Sequence, residues 1–355
     1  MNRSTPRLAS VLLVILILLL GCGAPSGSPA APDGATPSRV LEPADEHAGE
    51  ADLGTPIDAL APVPLNGRPL RVVATTNLVG DVAAQVGGER IDLTVLLPAG
   101  SDPHAYTATP RDMVALSDAD LILANGLGLE ESMLPTLTEL GAGRVVVVNE
   151  GVVPLEGAQD HGPGDEEHAD KEHGGVDPHT WQNVANVVIW AQNIAAAYSA
   201  MDPAHADGYS SAAADYITTL EALDADIRAT LSAIPTERRK LVTDHNTFAY
   251  FADAYGFEVI GSVIPSFSSL ATISAQELAR LQEQMRAQGA VAIFTGNTVN
   301  PALSQQVAQD TGVRVTPLYT DSLGAAGSEA DSYVEMMRLN ATRIAQALGA
   351  ASAQE

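Results

Sequence analysis

Asp202-Pro203-Ala204-His205-Ala206-Asp207 opens an alanine-rich run that continues to about Ser232, with Tyr209, Ala213, Tyr216, Leu220, Leu223, Ile227 and Leu231 at helical spacing. An apolar residue every three or four positions marks the buried face of one amphipathic helix. Asp202 as N-cap and Pro203 at the first helical position give it a strong start. About thirty residues at ~1.5 Å each would extend ~45 Å, enough to run the length of a two-domain protein. The apolar stripe is predicted to be core packing, and His205 near its start to be exposed.

On both sides of this helix, short β-branched runs alternate with amphipathic segments, the pattern of βα units around a mainly parallel sheet. Before it, strands are predicted at 70–75, 91–97, 120–125 and 144–149, with helices at 78–86, 110–117, 130–140 and 182–200. After it, strands are predicted at 240–243, 257–263, 290–295 and 313–318, with helices at 247–255, 275–288, 301–311 and 332–348. The fold expected is α/β: two domains, 70–201 and 235–355, each a mainly parallel sheet flanked by helices, joined by one long linking helix at 202–234. No close repeat at a fixed solenoid period relates the halves, which are alike in architecture only.

The N-terminus, 1–21, has the form of an export signal, with Arg3 and Arg7 ahead of an apolar run from Leu8 to Leu20. At about 13 residues that run falls short of the ~20 needed to span a bilayer. It ends in Leu19-Leu20-Gly21-Cys22, which resembles the lipobox of bacterial lipoproteins, although Leu20 is bulkier than usual there. The resemblance implies that Cys22 is acylated and begins the mature chain, anchoring it to the membrane. Cys22 is the sole cysteine, so no intramolecular disulfide or thiolate site can form. Residues 22–69 are rich in Pro, Gly, Ala, Ser and acidic residues, and are expected to form a disordered tether in which His47 is simply solvated.

Formal net charge is -26, and Lys171 and Lys240 are the sole lysines. Such a surface repels nucleic acid and anionic head groups and attracts cations weakly over a broad area. A soluble secreted surface explains most of that acidity, so charge alone is weak evidence of a metal function.

Four metal-binding side chains stand in distinctive settings. They are His104 in Gly100-Ser101-Asp102-Pro103-His104-Ala105-Tyr106, His179 in Asp177-Pro178-His179-Thr180-Trp181, His245 in Asp244-His245-Asn246-Thr247-Phe248, and Asp321 in Thr320-Asp321-Ser322-Leu323-Gly324. Three imidazoles and a carboxylate make a complete tetrahedral set for Zn²⁺ or a near relative. His104, His245 and Asp321 each follow a predicted strand, and open α/β sheets bind ligands beyond the carboxyl ends of their strands. His179 instead precedes a helix. Two ligands per domain would put the ion in the interdomain cleft. Ordinary readings stand beside these: His104 and Asp321 as turn residues, and Asp244-His245-Asn246 as the cap of the following helix. Asp102, Asp177 and Asp244 are candidates to accept the second ring proton of the neighbouring histidines.

Residues 159–175 combine His161, His168 and His173 with six carboxylates in a glycine-punctuated run, a composition that predicts a mobile loop with accessory metal affinity. Taken together, these settings resemble the metal-specific solute-binding proteins of bacterial ABC transporters for zinc and manganese. The resemblance extends from about residue 70 to 349. It implies that His104, His179, His245 and Asp321 coordinate the ion. It further implies a monomeric, extracytoplasmic, lipid-anchored receptor that hands Zn²⁺ to a permease driven by a cytoplasmic ATPase. Manganese-type members carry glutamate where this chain has His245, so the zinc type is expected, with Mn²⁺ as the alternative. One departure is Phe294-Thr295-Gly296-Asn297, where many relatives place a glutamate. A zinc hydrolase is the rival reading, but His-Glu-x-x-His and Gly-x-Ser-x-Gly are absent. A surface adhesin, a label relatives have sometimes carried, is another rival, and a buried ion site does not explain adhesion.

Overall fold

The structure, a computed structural model, describes residues 54–156 and 175–349. The export signal, Cys22, His47 and the three histidines of 159–175 lie outside the described residues. The first half runs β1 (Leu70–Ala74), α1 (Asn77–Gly87), β2 (Ile91–Val95), α2 (Pro110–Asp118), β3 (Leu121–Ala124), α3 (Leu134–Gly141) and β4 (Val145–Val147). Two helices follow, α4 (Val184–Met201) and α5 (Ala206–Ser232). The second half runs β5 (Lys240–His245), α6 (Ala249–Tyr255), β6 (Glu258–Ile264), α7 (Ala275–Gln288), β7 (Ala292–Thr295), α8 (Ala302–Thr311), β8 (Arg314–Pro317) and α9 (Tyr333–Gly349).

Among the described residues the strands form two four-stranded parallel sheets, ordered β2-β1-β3-β4 and β6-β5-β7-β8. The two α/β domains therefore share one topology, with strand order reversing between β1 and β3 and between β5 and β7. Crevices at such reversals are where open α/β sheets take ligands. Local chemistry agrees with the placement of the helices. Thr109 and Asp112 close a capping box on α2, with Pro110 in the first turn, and Ser274 and Glu277 do the same for α7.

The long helix α5 buries Tyr209, Ala213, Tyr216, Leu220, Leu223, Ile227 and Leu231, the stripe read from the sequence. Its start differs from the expectation. Pro203–His205 forms a 3-10 turn before α5, and the Asp202 carboxylate makes no capping bond to the backbone. It accepts instead from Tyr209 Oη at 2.9 Å and pairs with His205 Nδ1 at 2.7 Å, while the His205 ring stays exposed. Side-chain donors one and two turns along outcompete the backbone for this carboxylate.

One apolar cluster runs from β1 and β3 through α1, α4, α5 and α9 to β5 and β7, and smaller clusters cover the opposite face of each sheet. The tether expected up to residue 69 ends earlier. Ile57, Leu60, Val63 and Leu65 pack on the core, Thr55 N–H donates to Val145 O and Val63 N–H to Met201 O. Apolar residues every few positions suffice to dock 54–69, although average composition argued otherwise. Among the described residues no helix is long and apolar enough to cross a membrane.

Candidate metal centre

His245 is the last residue of β5, and His104 and Asp321 lie in loops beyond the carboxyl ends of β2 and β8. His179 caps a 3-10 turn, Thr180–Gln182, just ahead of α4. The fold brings all four together: one candidate ligand atom from each lies within 4.8 Å of every other, and all four residues are buried. His104 Nε2 is 3.3 Å from His179 Nε2. Asp321 Oδ1 is 3.6 Å from His179 Nε2, and Asp321 Oδ2 is 3.6 Å from His245 Nε2. Four donors each ~2.0–2.1 Å from one ion would be separated by ~3.3–3.4 Å, so the cluster is close to the dimensions of a zinc site.

Two of the rings are oriented by carboxylates. Asp177 Oδ1 accepts from His179 N at 2.9 Å and faces His179 Nδ1 at 2.7 Å. Asp244 Oδ1 likewise accepts from His245 N at 2.8 Å and faces His245 Nδ1 at 3.0 Å. An ionised carboxylate only accepts, so each Nδ1 carries a proton and each Nε2 is the ring atom turned to the centre. Asp102 behaves differently. Its Oδ1 accepts from the His104 backbone N–H at 3.0 Å, and its Oδ2 accepts from Ser269 Oγ of the other domain. His245 Nε2 is fully buried and has no hydrogen-bond partner. A buried imidazole nitrogen without a partner is costly unless a cation meets it.

Electrostatics point the same way. Burial, followed by the nearby His179 ring, lowers the pKa of His104 to about 3, so its ring is neutral. Burial opposes a charge on His245, but Asp321 and Asp244 outweigh it and raise its pKa well above 6.5. Burial would raise Asp321, yet His245, His179 and His104 hold it far below the usual carboxylate range. With no cation bound, the centre keeps a proton on His245 beside an ionised Asp321.

Neither Asp244 nor Asn246 caps the helix after His245. That helix, α6, begins at Ala249 with Phe248 as N-cap, and Asn246 Oδ1 accepts from Ser262 Oγ at 2.6 Å. Asp321 lies in a bend, and its carboxylate is hydrogen-bonded: Oδ2 accepts from Thr298 Oγ1 at 3.0 Å and Thr320 Oγ1 at 2.8 Å. Sequence reasoning missed both threonines, although Thr320 lies inside a quoted motif. The departure at Gly296 has a steric basis. A Cβ there would lie 2.1 Å from Thr320 Oγ1 and 3.2 Å from Asp244 Oδ2, and Gly296 N–H donates to that Oδ2 at 2.6 Å. Cleft polarity falls to Asn297, which donates to Ser322 O at 3.1 Å and accepts from Thr320 N at 3.2 Å.

The zinc-uptake complex component A, periplasmic (ZnuA) family matches residues 72–347. The chain belongs to this family. The manganese ABC transporter substrate-binding lipoprotein PsaA of Streptococcus anginosus is 33% identical over 293 residues, 80% of this chain and 90% of the relative. The periplasmic zinc-binding protein TroA from Treponema pallidum has a TM-score of 0.71 at 29% identity, covering 80% of this chain and 100% of that one. The Mn-bound periplasmic metal-binding protein from Candidatus Liberibacter asiaticus has a TM-score of 0.68 at 27% identity, covering 79% and 99%. These are binding proteins, and this chain is likewise not an enzyme, so the zinc hydrolase reading falls.

Proposed function

We propose that the chain is the extracytoplasmic metal receptor of an ABC-type importer, binding Zn²⁺ through His104, His179, His245 and Asp321 between its two domains. It delivers the ion to a membrane permease driven by a cytoplasmic ATPase. The observation that carries this is the convergence of three imidazoles and one buried carboxylate, with His245 Nε2 left without a partner. Nitrogen-rich, four-donor sites suit tetrahedral Zn²⁺, whereas Mn²⁺ prefers more oxygen donors and higher coordination.

A manganese cargo is the second reading, supported by relatives such as PsaA, which is named for manganese. The lipoprotein name of that relative also supports acylation at Cys22, with the chain up to the folded part serving as tether. His161, His168 and His173 would supply weaker, accessory binding. Metal analysis of protein purified without added metal, followed by competition between Zn²⁺ and Mn²⁺, tests the proposal. Stoichiometric Zn²⁺ with preference over Mn²⁺ is expected. Preference for Mn²⁺ would overturn the zinc assignment, and absence of any tight divalent site would overturn the whole reading.

A further inference from the structure

Both oxygens of Asp321 face the centre, Oδ1 toward His179 Nε2 and Oδ2 toward His245 Nε2, each at 3.6 Å. On that geometry alone the carboxylate could offer an ion one oxygen or two. The two oxygens nevertheless differ in what else they hold. Oδ2 accepts from Thr298 Oγ1 at 3.0 Å and from Thr320 Oγ1 at 2.8 Å. Oδ1 has a single long contact, Thr247 Oγ1 at 3.5 Å. A carboxylate oxygen has about two acceptor positions, so the two hydroxyls fill those of Oδ2 and leave Oδ1 free.

We infer that Thr298 and Thr320 are specificity-determining residues: by holding Oδ2 they restrict Asp321 to one coordinating oxygen, which keeps the site four-coordinate and disfavours Mn²⁺ relative to Zn²⁺. This rests on the metal-binding reading of the four ligands. It adds a control that the ligand identities do not contain, because the same three histidines and aspartate would make a five-coordinate site if Oδ2 were released. Closed four-coordinate sites are the habit of Zn²⁺, and additional oxygen donors favour Mn²⁺. Thr320 is buried beside Gly296, whereas Thr298 lies on the partly exposed loop after β7, so Thr298 is the residue to change.

Thr298→Val keeps the shape and removes the hydroxyl, and Thr298→Ser keeps the hydroxyl. Competition titrations with Zn²⁺ and Mn²⁺, and the visible spectrum of the Co²⁺-loaded protein, are recorded for wild type and both variants, with folding checked by circular dichroism. Thr298→Val is expected to narrow the preference for Zn²⁺ over Mn²⁺ by about 10-fold, the scale of groups that orient metal ligands. Its Co²⁺ bands should weaken, as they do when coordination rises above four, and Thr298→Ser should match wild type. An unchanged Zn²⁺ to Mn²⁺ ratio in folded Thr298→Val, including equal losses for both ions with the Co²⁺ spectrum intact, overturns the inference while leaving the metal site standing. X-ray absorption on Zn²⁺-loaded wild type needs no variant: four nitrogen or oxygen neighbours are expected, and five or more overturn it. If wild type binds neither ion, the proposed function fails and this inference with it.

Discussion

Asp177→Asn and Asp244→Asn remove the same charge from the same position relative to a histidine ring, yet the structure assigns them different consequences. In each case one carboxylate oxygen serves the following histidine, accepting its backbone N–H and facing Nδ1. The other oxygens diverge. Asp177 Oδ2 is already buried without a hydrogen-bond partner, so an amide nitrogen there replaces one unsatisfied atom by another and breaks no bond. Asp244 Oδ2 accepts Gly296 N–H at 2.6 Å, so an amide nitrogen there sets donor against donor. A buried donor left unsatisfied costs about 1–3 kcal/mol. For chains of this order that corresponds to roughly 2–4 °C in Tm per kcal/mol. Asp244→Asn should therefore melt several degrees below wild type in the metal-free state, and Asp177→Asn close to it. Both should weaken Zn²⁺ binding by ~10–100-fold, about 1.4–2.7 kcal/mol, because an amide polarises the imidazole less than a carboxylate does. Thermal unfolding without metal, and chelator competition for Zn²⁺, separate the two effects. Equal melting losses in the two variants, or a folded Asp244→Asn with unchanged Zn²⁺ affinity, would refute the assigned roles.

Replacing His245 with Ala should weaken Zn²⁺ binding on the order of 100-fold or more, and His245→Glu should shift selectivity toward Mn²⁺, both read by competition titration. Because Asp321 and Asp244 keep a proton on His245 in the metal-free centre, Zn²⁺ binding at neutral pH should release about one proton; calorimetry in buffers of different ionisation enthalpy counts it. Metal-free stability should fall as pH drops from 6.5 toward about 3, since His104 binds its proton in the unfolded chain but not in the folded one over that window; melting at a series of pH values checks the sign. Gly296→Ala drives a Cβ against Thr320 Oγ1 and should lower both Tm and Zn²⁺ affinity, whereas an unchanged melt would show that Thr320 moves aside freely. Cys22→Ser should release the protein from membranes with its metal binding intact, and cell fractionation shows whether it does.

Strand and helix positions were legible because parallel strands buried on both faces read as continuous apolar runs, and because capping residues such as Thr109 and Ser274 mark helix starts. The reach of side chains was not. Asp102-Pro103-His104 and Asp177-Pro178-His179 are the same tripeptide, and in both the aspartate accepts the histidine backbone N–H. Only Asp177 also reaches the ring, because Asp102 is drawn to Ser269, which lies 167 positions away in the chain. The Oδ2 partners of Asp321 were hidden for the same reason: Thr298 comes 23 positions earlier and arrives only through the pairing of β7 with β8. Local pattern gives the candidate ligand, and tertiary contact decides what that side chain's other atoms do.

Those tertiary contacts also tie the candidate ligands to the apposition of the two domains. Asn77 Nδ2 donates to Ser322 Oγ at 2.8 Å, Gly100 N to the same oxygen at 2.7 Å, and Leu323 N to Asn77 Oδ1 at 2.9 Å. Trp181 Nε1 donates to Thr320 O at 2.7 Å, and Tyr250 Oη to Asp177 O at 3.0 Å. Nearly every bond in this set joins a residue within a few positions of a ligand on one side to a counterpart across the cleft. At about 0.5–1.5 kcal/mol each, they contribute on the order of 5 kcal/mol, less than the ~10–16 kcal/mol of a structural zinc site. Four donors drawn from both sides of the cleft, if they hold the proposed ion, would therefore outweigh these five hydrogen bonds. Binding at the proposed site would add to the apolar cluster and the hydrogen bonds that already join the two halves. A partner that parted the domains would take Asp321 and His245 from the ion in the same movement that left His104 and His179 behind, which makes release an event between domains rather than the loosening of one ligand.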